Sequence, residues 1–222
     1  MKSDETGKIG KPEPGSGNER GDLDHAAARP SAGLAGLAHL ELAFAAEGGR
    51  SMPPVEKWDP PYCGDIGLAI ASDGTWSYKG SPIRRMSLVK LFASVLRRDG
   101  DGRHYLVTPA EKVDVAVADA PLLAVELEAI GTGRGQTLVV RTNLDDVVRI
   151  GCEHPLRFAP SKDGAIRPYV LVRGRIEALV TRALTYELAE LLAESDTGRI
   201  GVWSEGTFFA LMEDARHQDP AR

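Results

Sequence analysis

Two cysteines in 222 residues are too few for a disulfide scaffold, so the fold has to be held by a packed core. Long apolar runs are also missing, and nothing approaches the roughly 18–20 residues that span a bilayer. The opening stretch, MKSDETGKIGKPEPGSGNERGD, has no apolar centre and does not read as a secretory signal. An excess of cations is absent as well. The chain carries 27 Lys and Arg against 32 Asp and Glu, a formal charge of −5, which argues against broad nucleic-acid binding. These absences leave a globular protein, expected to be soluble and cytoplasmic. Its hydrophobic fraction of 42% suffices for a core once the polar tail is set aside.

Signatures of chemistry are equally sparse. The chain has no GxxxxGK[ST] phosphate loop, HExxH, GxSxG or CxxC. Gly131-Thr-Gly-Arg-Gly135 has the wrong spacing for a dinucleotide loop and reads as a connection between two strands. Ser87-x-x-Lys90 lacks the companion elements of a serine–lysine nucleophile and suits the start of a helix. Cys63, Cys152 and His154 fall short of the four close-spaced ligands of a structural zinc, so neither metal nor cofactor is expected. Asp145 and Asp146 are adjacent and do not form an acid–base dyad by themselves. No catalytic residue is nominated, and the inventory leans away from an enzyme.

What is present is an ordered sequence of segments. Residues 1–32, rich in Lys, Glu, Gly, Pro, Ser and Asp, read as a disordered tail. Leu34, Leu37 and Leu40 recur at helical spacing, predicting a short helix within 33–48 that Gly48-Gly49 stops. Residues 49–62 form a Pro-punctuated linker, expected to be extended. Alternation then predicts strands at 66–71 and 75–78, followed by a helix from Ser87 to Arg98. Further strands are predicted at 104–108, 113–117, 122–128 and 136–143. Two more, at 169–173 and 175–180, precede a helix from Thr181 to Leu192 and a hairpin turning at Ser204-Glu205-Gly206, with a tail from 213 to 222.

Gly80 precedes Ser87 by the same seven positions that separate Gly174 from Thr181, and both helices lead through a Gly-Arg pair into a strand. This points to an α+β protein built from two related β-hairpin–helix–hairpin halves, 63–135 and 136–212. Charge is uneven along them. Seven Lys/Arg face three Asp/Glu in 81–112, and seven face four in 141–175, while 113–130 holds four acids and no base. Two basic strips in an acidic chain suit an anionic small ligand.

The nominated ligand-binding residues are Trp76, Ser81, Arg84, Lys112, Arg141, Asn143, His154, Arg157, Tyr169 and Trp203. Arginine and lysine offer phosphate donors, and the aromatic rings offer faces on which a base stacks. A protein-interaction module without a small ligand is the alternative, with the helix near residues 34–47 or a sheet edge as the docking element.

The stretch DGTWSYKGSPIRRMSLVKLFASVLRRDGDGRHYLVTPAEKV, with VADAPLLAV, RTNLDD, HPLRF, RPYVLVRG and GVWSEGTFF after it, resembles the bacterial domain-of-unknown-function family 1285 over about residues 60–212. The resemblance implies a duplicated core whose second half is superficially like pleckstrin-homology folds. It also implies a cleft between the halves for a nucleotide-like ligand, in a signalling or stress-related role. It supplies no catalytic residues.

Overall fold

Leu68, Ile70, Val113 and Val115 alternate with more exposed or polar neighbours, the pattern of strands with one face in a core. The computed structural model describes residues 52–161 and 164–212. The expected tails at 1–32 and 213–222 and the helix within 33–48 lie outside the described residues.

Six strands form the first sheet: β1 (Tyr62–Ile70), β2 (Trp76–Tyr78), β3 (Ser81–Pro82), β4 (Leu96–Arg98), β5 (His104–Val107) and β6 (Lys112–Val117), in the order β3-β2-β1-β6-β5-β4. Six more form the second: β7 (Leu122–Ile130), β8 (Thr137–Thr142), β9 (Val147–Arg149), β10 (Leu156–Pro160), β11 (Ile166–Arg173) and β12 (Ile176–Val180). Their order is β10-β11-β12-β7-β8-β9. Each sheet joins two antiparallel three-stranded meanders through a parallel pair, β1 with β6 and β7 with β12. In both, the first strand lies beside the last, so the two halves share one topology. A third, three-stranded sheet contains β13 (Ala193–Glu194), β14 (Ile200–Ser204) and β15 (Thr207–Ala210).

Helix α1 (Met86–Ser94) follows the first hairpins and helix α2 (Arg182–Glu190) follows β12. The repeat legible in the sequence therefore has a structural basis: a meander, a helix and a second meander occur twice. The second copy differs in that β13–β15 form a sheet of their own and β12, whose counterpart β3 is an edge strand, pairs with β7. The sheets divide between Val117 and Leu122, so β7, assigned to the first half when the halves are drawn at 135–136, hydrogen-bonds in the second. With two nine-residue α-helices and fifteen strands, the described residues are mostly β, and α+β describes them only coarsely.

Helix α1 departs from expectation at both ends. Arg85, not Ser87, takes the N-cap position, and the helix stops at Ser94. Leu96–Arg98 pair instead with His104–Leu106, because the Asp99–Gly102 turn brings the chain back as an antiparallel neighbour. The linker is also more structured than its prolines suggest. Val55–Lys57 make a 3₁₀ turn whose Val55 and Trp58 carbonyls each accept a 2.7 Å hydrogen bond from Arg97 Nη1.

One apolar cluster runs through the whole body, from Leu68, Trp76 and Phe92 to Leu138, Val170, Val202 and Phe209. Polar contacts then fix the two halves against each other. Arg173 donates to the Ala93 carbonyl at the end of α1 (2.7 Å), and Lys90 of α1 pairs with Asp145. Within the second half, the backbone N–H and side-chain Oδ1 of Asn143 bind both backbone groups of Leu123. Gly74 sits directly against that corner with a φ of 81°, and a Cβ there would come within 2.8 Å of Asn143 Nδ2.

Candidate functional site

Where the halves face each other, a cavity of about 230 Å³ opens. Arg98 and His104 reach it from β4 and β5, Asp119 from the link between the sheets, and Arg157, Tyr169, Arg175 and Glu177 from β10–β12 and their turns. Arg157 grips Glu177 with two nitrogens, Nε and Nη2, at 2.5 and 2.7 Å. Its guanidinium also lies over the Tyr169 ring, 4.3 Å from the centroid. Arg98 approaches the same carboxylate from the first sheet at 3.5 Å. Asp119 is committed elsewhere, accepting from Arg167 Nη1 at 2.7 Å and from the Tyr169 hydroxyl at 2.8 Å. Arg175, exposed beyond the Gly174 turn, has neither an ion pair nor a hydrogen bond among the described residues. Together with Arg167, four guanidiniums meet two carboxylates here.

His104 is the lining side chain whose ordinary pKa lies near neutrality, and here that pKa is pushed down to about 4 by burial first and by the Arg98 charge second. It is therefore neutral at pH 7 and adds no charge to the site. The Tyr169 phenol is raised, by burial and then by its hydrogen bond to Asp119. Arg157 is raised by its hydrogen bond to Glu177.

Of the ten nominated residues, the cleft contains Arg157 and Tyr169. The rest are dispersed. Trp76 is 1% exposed and packs against Phe92 in the core, its Nε1 without an acceptor. Ser81 and Arg84 are exposed at the far edge of the first sheet. Lys112 bridges to Asp99 at 3.2 Å and lies over Tyr105. Arg141 is held by Glu126 and Asp145, and Asn143 is spent on Leu123. His154 Nδ1 faces the Leu171 carbonyl at 3.1 Å. Trp203 packs on Phe208 and under Arg134.

The residues that complete the cleft, Arg98, His104, Asp119, Arg175 and Glu177, escaped sequence reasoning. Arg98 was masked by the helix expected to run through it, and the exposed Arg175 carries no pattern beyond the Gly174 turn before it. Among the described residues no cluster of three His, Cys, Asp or Glu side chains could hold a metal ion. No helix of theirs is long and apolar enough to cross a membrane.

Two family models match the chain in tandem. "Domain of unknown function (DUF1285), N-terminal domain" matches residues 53–120, and "Protein of unknown function (DUF1285), C-terminal domain" matches residues 121–211. Their junction falls between the two six-stranded sheets. The crystal structure of a DUF1285 family protein from Silicibacter pomeroyi DSS-3 is similar at a TM-score of 0.71 and 44% identity, over 78% of this chain and 94% of that one. A DUF1285 family protein from Shewanella baltica OS155 is similar at 28% identity and a TM-score of 0.45, over 56% of this chain and 91% of that one. None of the curated proteins matches.

Proposed function

This chain belongs to the DUF1285 family, and we propose that its inter-sheet cleft is a recognition site for a compact anionic small molecule. One observation carries the reading: Arg175 lines the cleft with no carboxylate partner among the described residues, while Arg98 and Arg157 share Glu177. A phosphate or carboxylate group entering there gains charge-assisted hydrogen bonds that the protein leaves unmade. The nucleotide form of the ligand has less support. Arg157 already covers a face of Tyr169, the aromatic ring that lines the cleft, so a base has little to stack on.

The lining also favours binding over turnover. It contains no Ser, Thr, Cys or Lys, both carboxylates are paired with arginine, and His104 has lost basicity. Holding an anion between two halves without transforming it is the physics of a sensing module, and a signalling role is the use we assign to it.

Thermal unfolding in inorganic phosphate, pyrophosphate and adenine nucleotides, at an ionic strength matched with chloride, tests the proposal. Stabilisation by pyrophosphate that vanishes in Arg175→Ala supports it. A midpoint that moves with none of the anions overturns it. A response confined to the nucleotides replaces the compact ligand with a nucleotide.

A further inference from the structure

A second cavity, of about 400 Å³, adjoins the cleft on the first sheet, and Gly102, His104 and Val117 line both. Beyond those shared residues it takes in Asp65 of β1, which stands opposite Asp114 in the parallel pairing with β6. Asp114 is neutralised there, because Arg103 Nη2 donates to its Oδ1 at 2.5 Å and the Tyr62 hydroxyl donates to its Oδ2. Asp65 makes no ion pair among the described residues, and its Oδ1 accepts from the Gly67 amide at 2.7 Å. Along β6, Val115 and Ala116 lie between Asp114 and Val117, which also lines the cleft.

The two cavities carry opposite charge. Four guanidiniums against two carboxylates leave the cleft positive, and His104, neutral at pH 7, adds no charge where the cavities meet. With Asp114 paired to Arg103, Asp65 leaves the second cavity negative. We propose that the two form one trough for an extended zwitterion, its phosphate or carboxylate at Arg175 and an ammonium group at Asp65. This rests on the anion reading of the cleft and assigns the remainder of the same ligand.

Charge complementarity selects this class. A ligand with a second anion would set it against Asp65, while the Arg103 cation is already engaged by Asp114. A purely apolar tail would press hydrocarbon on the Asp65 carboxylate and give it no partner. An ammonium supplies the charge-assisted hydrogen bonds that Asp65 lacks. The length of the spacer follows from β6. Asp114 and Val117 are three residues apart on that strand, roughly 10 Å at about 3.4 Å per residue. Val115 and the exposed Ala116 leave that interval uncharged, as a hydrocarbon spacer requires.

Calorimetric titration of the full chain with ω-aminohexyl phosphate and with hexyl phosphate tests it, since the two share the anion and the spacer and differ in the ammonium. The amino compound should bind about three- to fivefold more tightly. Asp65→Asn, which keeps an acceptor for the Gly67 amide, should erase that difference and leave hexyl phosphate unchanged. Arg175→Ala should weaken both. Ala116→Trp, filling the middle of the trough, should weaken both esters several-fold and leave pyrophosphate within about twofold. Equal affinity for the two esters, or a preference that survives Asp65→Asn, overturns the zwitterion while the anion site stands. Pyrophosphate weakened by Ala116→Trp as much as the esters overturns the division of the trough. Failure of pyrophosphate and both esters to bind removes the anion site, and the zwitterion with it.

Discussion

Arg98 of the first sheet and Glu177 of the second meet at 3.5 Å across the cleft, and Arg157 holds the same carboxylate in a bidentate grip. Glu177 is thus both a tie between the halves and the internal counter-ion of the site. Glu177→Gln separates the two roles. Stability should fall by about 1–3 kcal/mol, because guanidiniums lose a largely buried partner. Pyrophosphate affinity should rise roughly two- to fivefold as the competing charge is removed. Denaturant unfolding with and without pyrophosphate checks both, and weaker binding in the variant would contradict the assigned role.

His104 makes stability depend on pH in a defined window. Its folded pKa is about 4, below the ordinary value of 6.5, so between those values the unfolded chain takes up a proton that the folded protein refuses. The contribution is complete above pH 6.5 and is lost as pH falls toward 4. His104→Gln should flatten that part of the curve, measured as the difference in unfolding free energy between variant and parent from pH 7 to 4.5. A difference constant with pH would show that the ring is not held neutral.

Trp76 separates packing from recognition. Its indole is buried against Phe92 with Nε1 unpaired, so Trp76→Ala should cost about 3–5 kcal/mol. Trp76→Phe, which removes the orphan donor while keeping a ring, should cost well under half of that. Anion binding should be unchanged in Trp76→Phe, as titration of the folded variant will show.

Ser204 ties the third sheet to the second. Fully buried, it accepts from the Leu138 amide at 2.9 Å and donates to the Ile150 carbonyl at 2.6 Å. Ser204→Ala strands both backbone groups and should cost about 1–3 kcal/mol in chemical denaturation, where a surface serine would cost almost nothing.

Local structure was largely legible in the sequence. Alternation located β5, β6, β7, β8 and β11 to within about three residues, and Gly80 and Gly174 marked the paired turns. Short edge strands such as β3, β9 and β13 leave too few residues for a period to register. The site was less legible because it depends on pairing between distant residues. Arg141 and Lys112 look like phosphate donors until Glu126, Asp145 and Asp99 neutralise them. Tyr105 looks like an open ring until Lys112 and Arg103 lie over it and Asp101 binds its hydroxyl, raising it to about 12. Composition counts cations, but only the fold decides which are left over, and among the described residues Arg175 lines the cleft without an ion pair.

Calorimetric titration of the full chain with pyrophosphate at low, fixed ionic strength tests the anion site most directly. The parent protein, Arg175→Ala and Arg141→Ala should be compared, the last removing a guanidinium outside the cleft. The account predicts saturable one-site binding in the parent, a loss of about fivefold or more in Arg175→Ala and a change within about twofold in Arg141→Ala. Equal weakening by both substitutions, or no saturable heat in the parent, would contradict it.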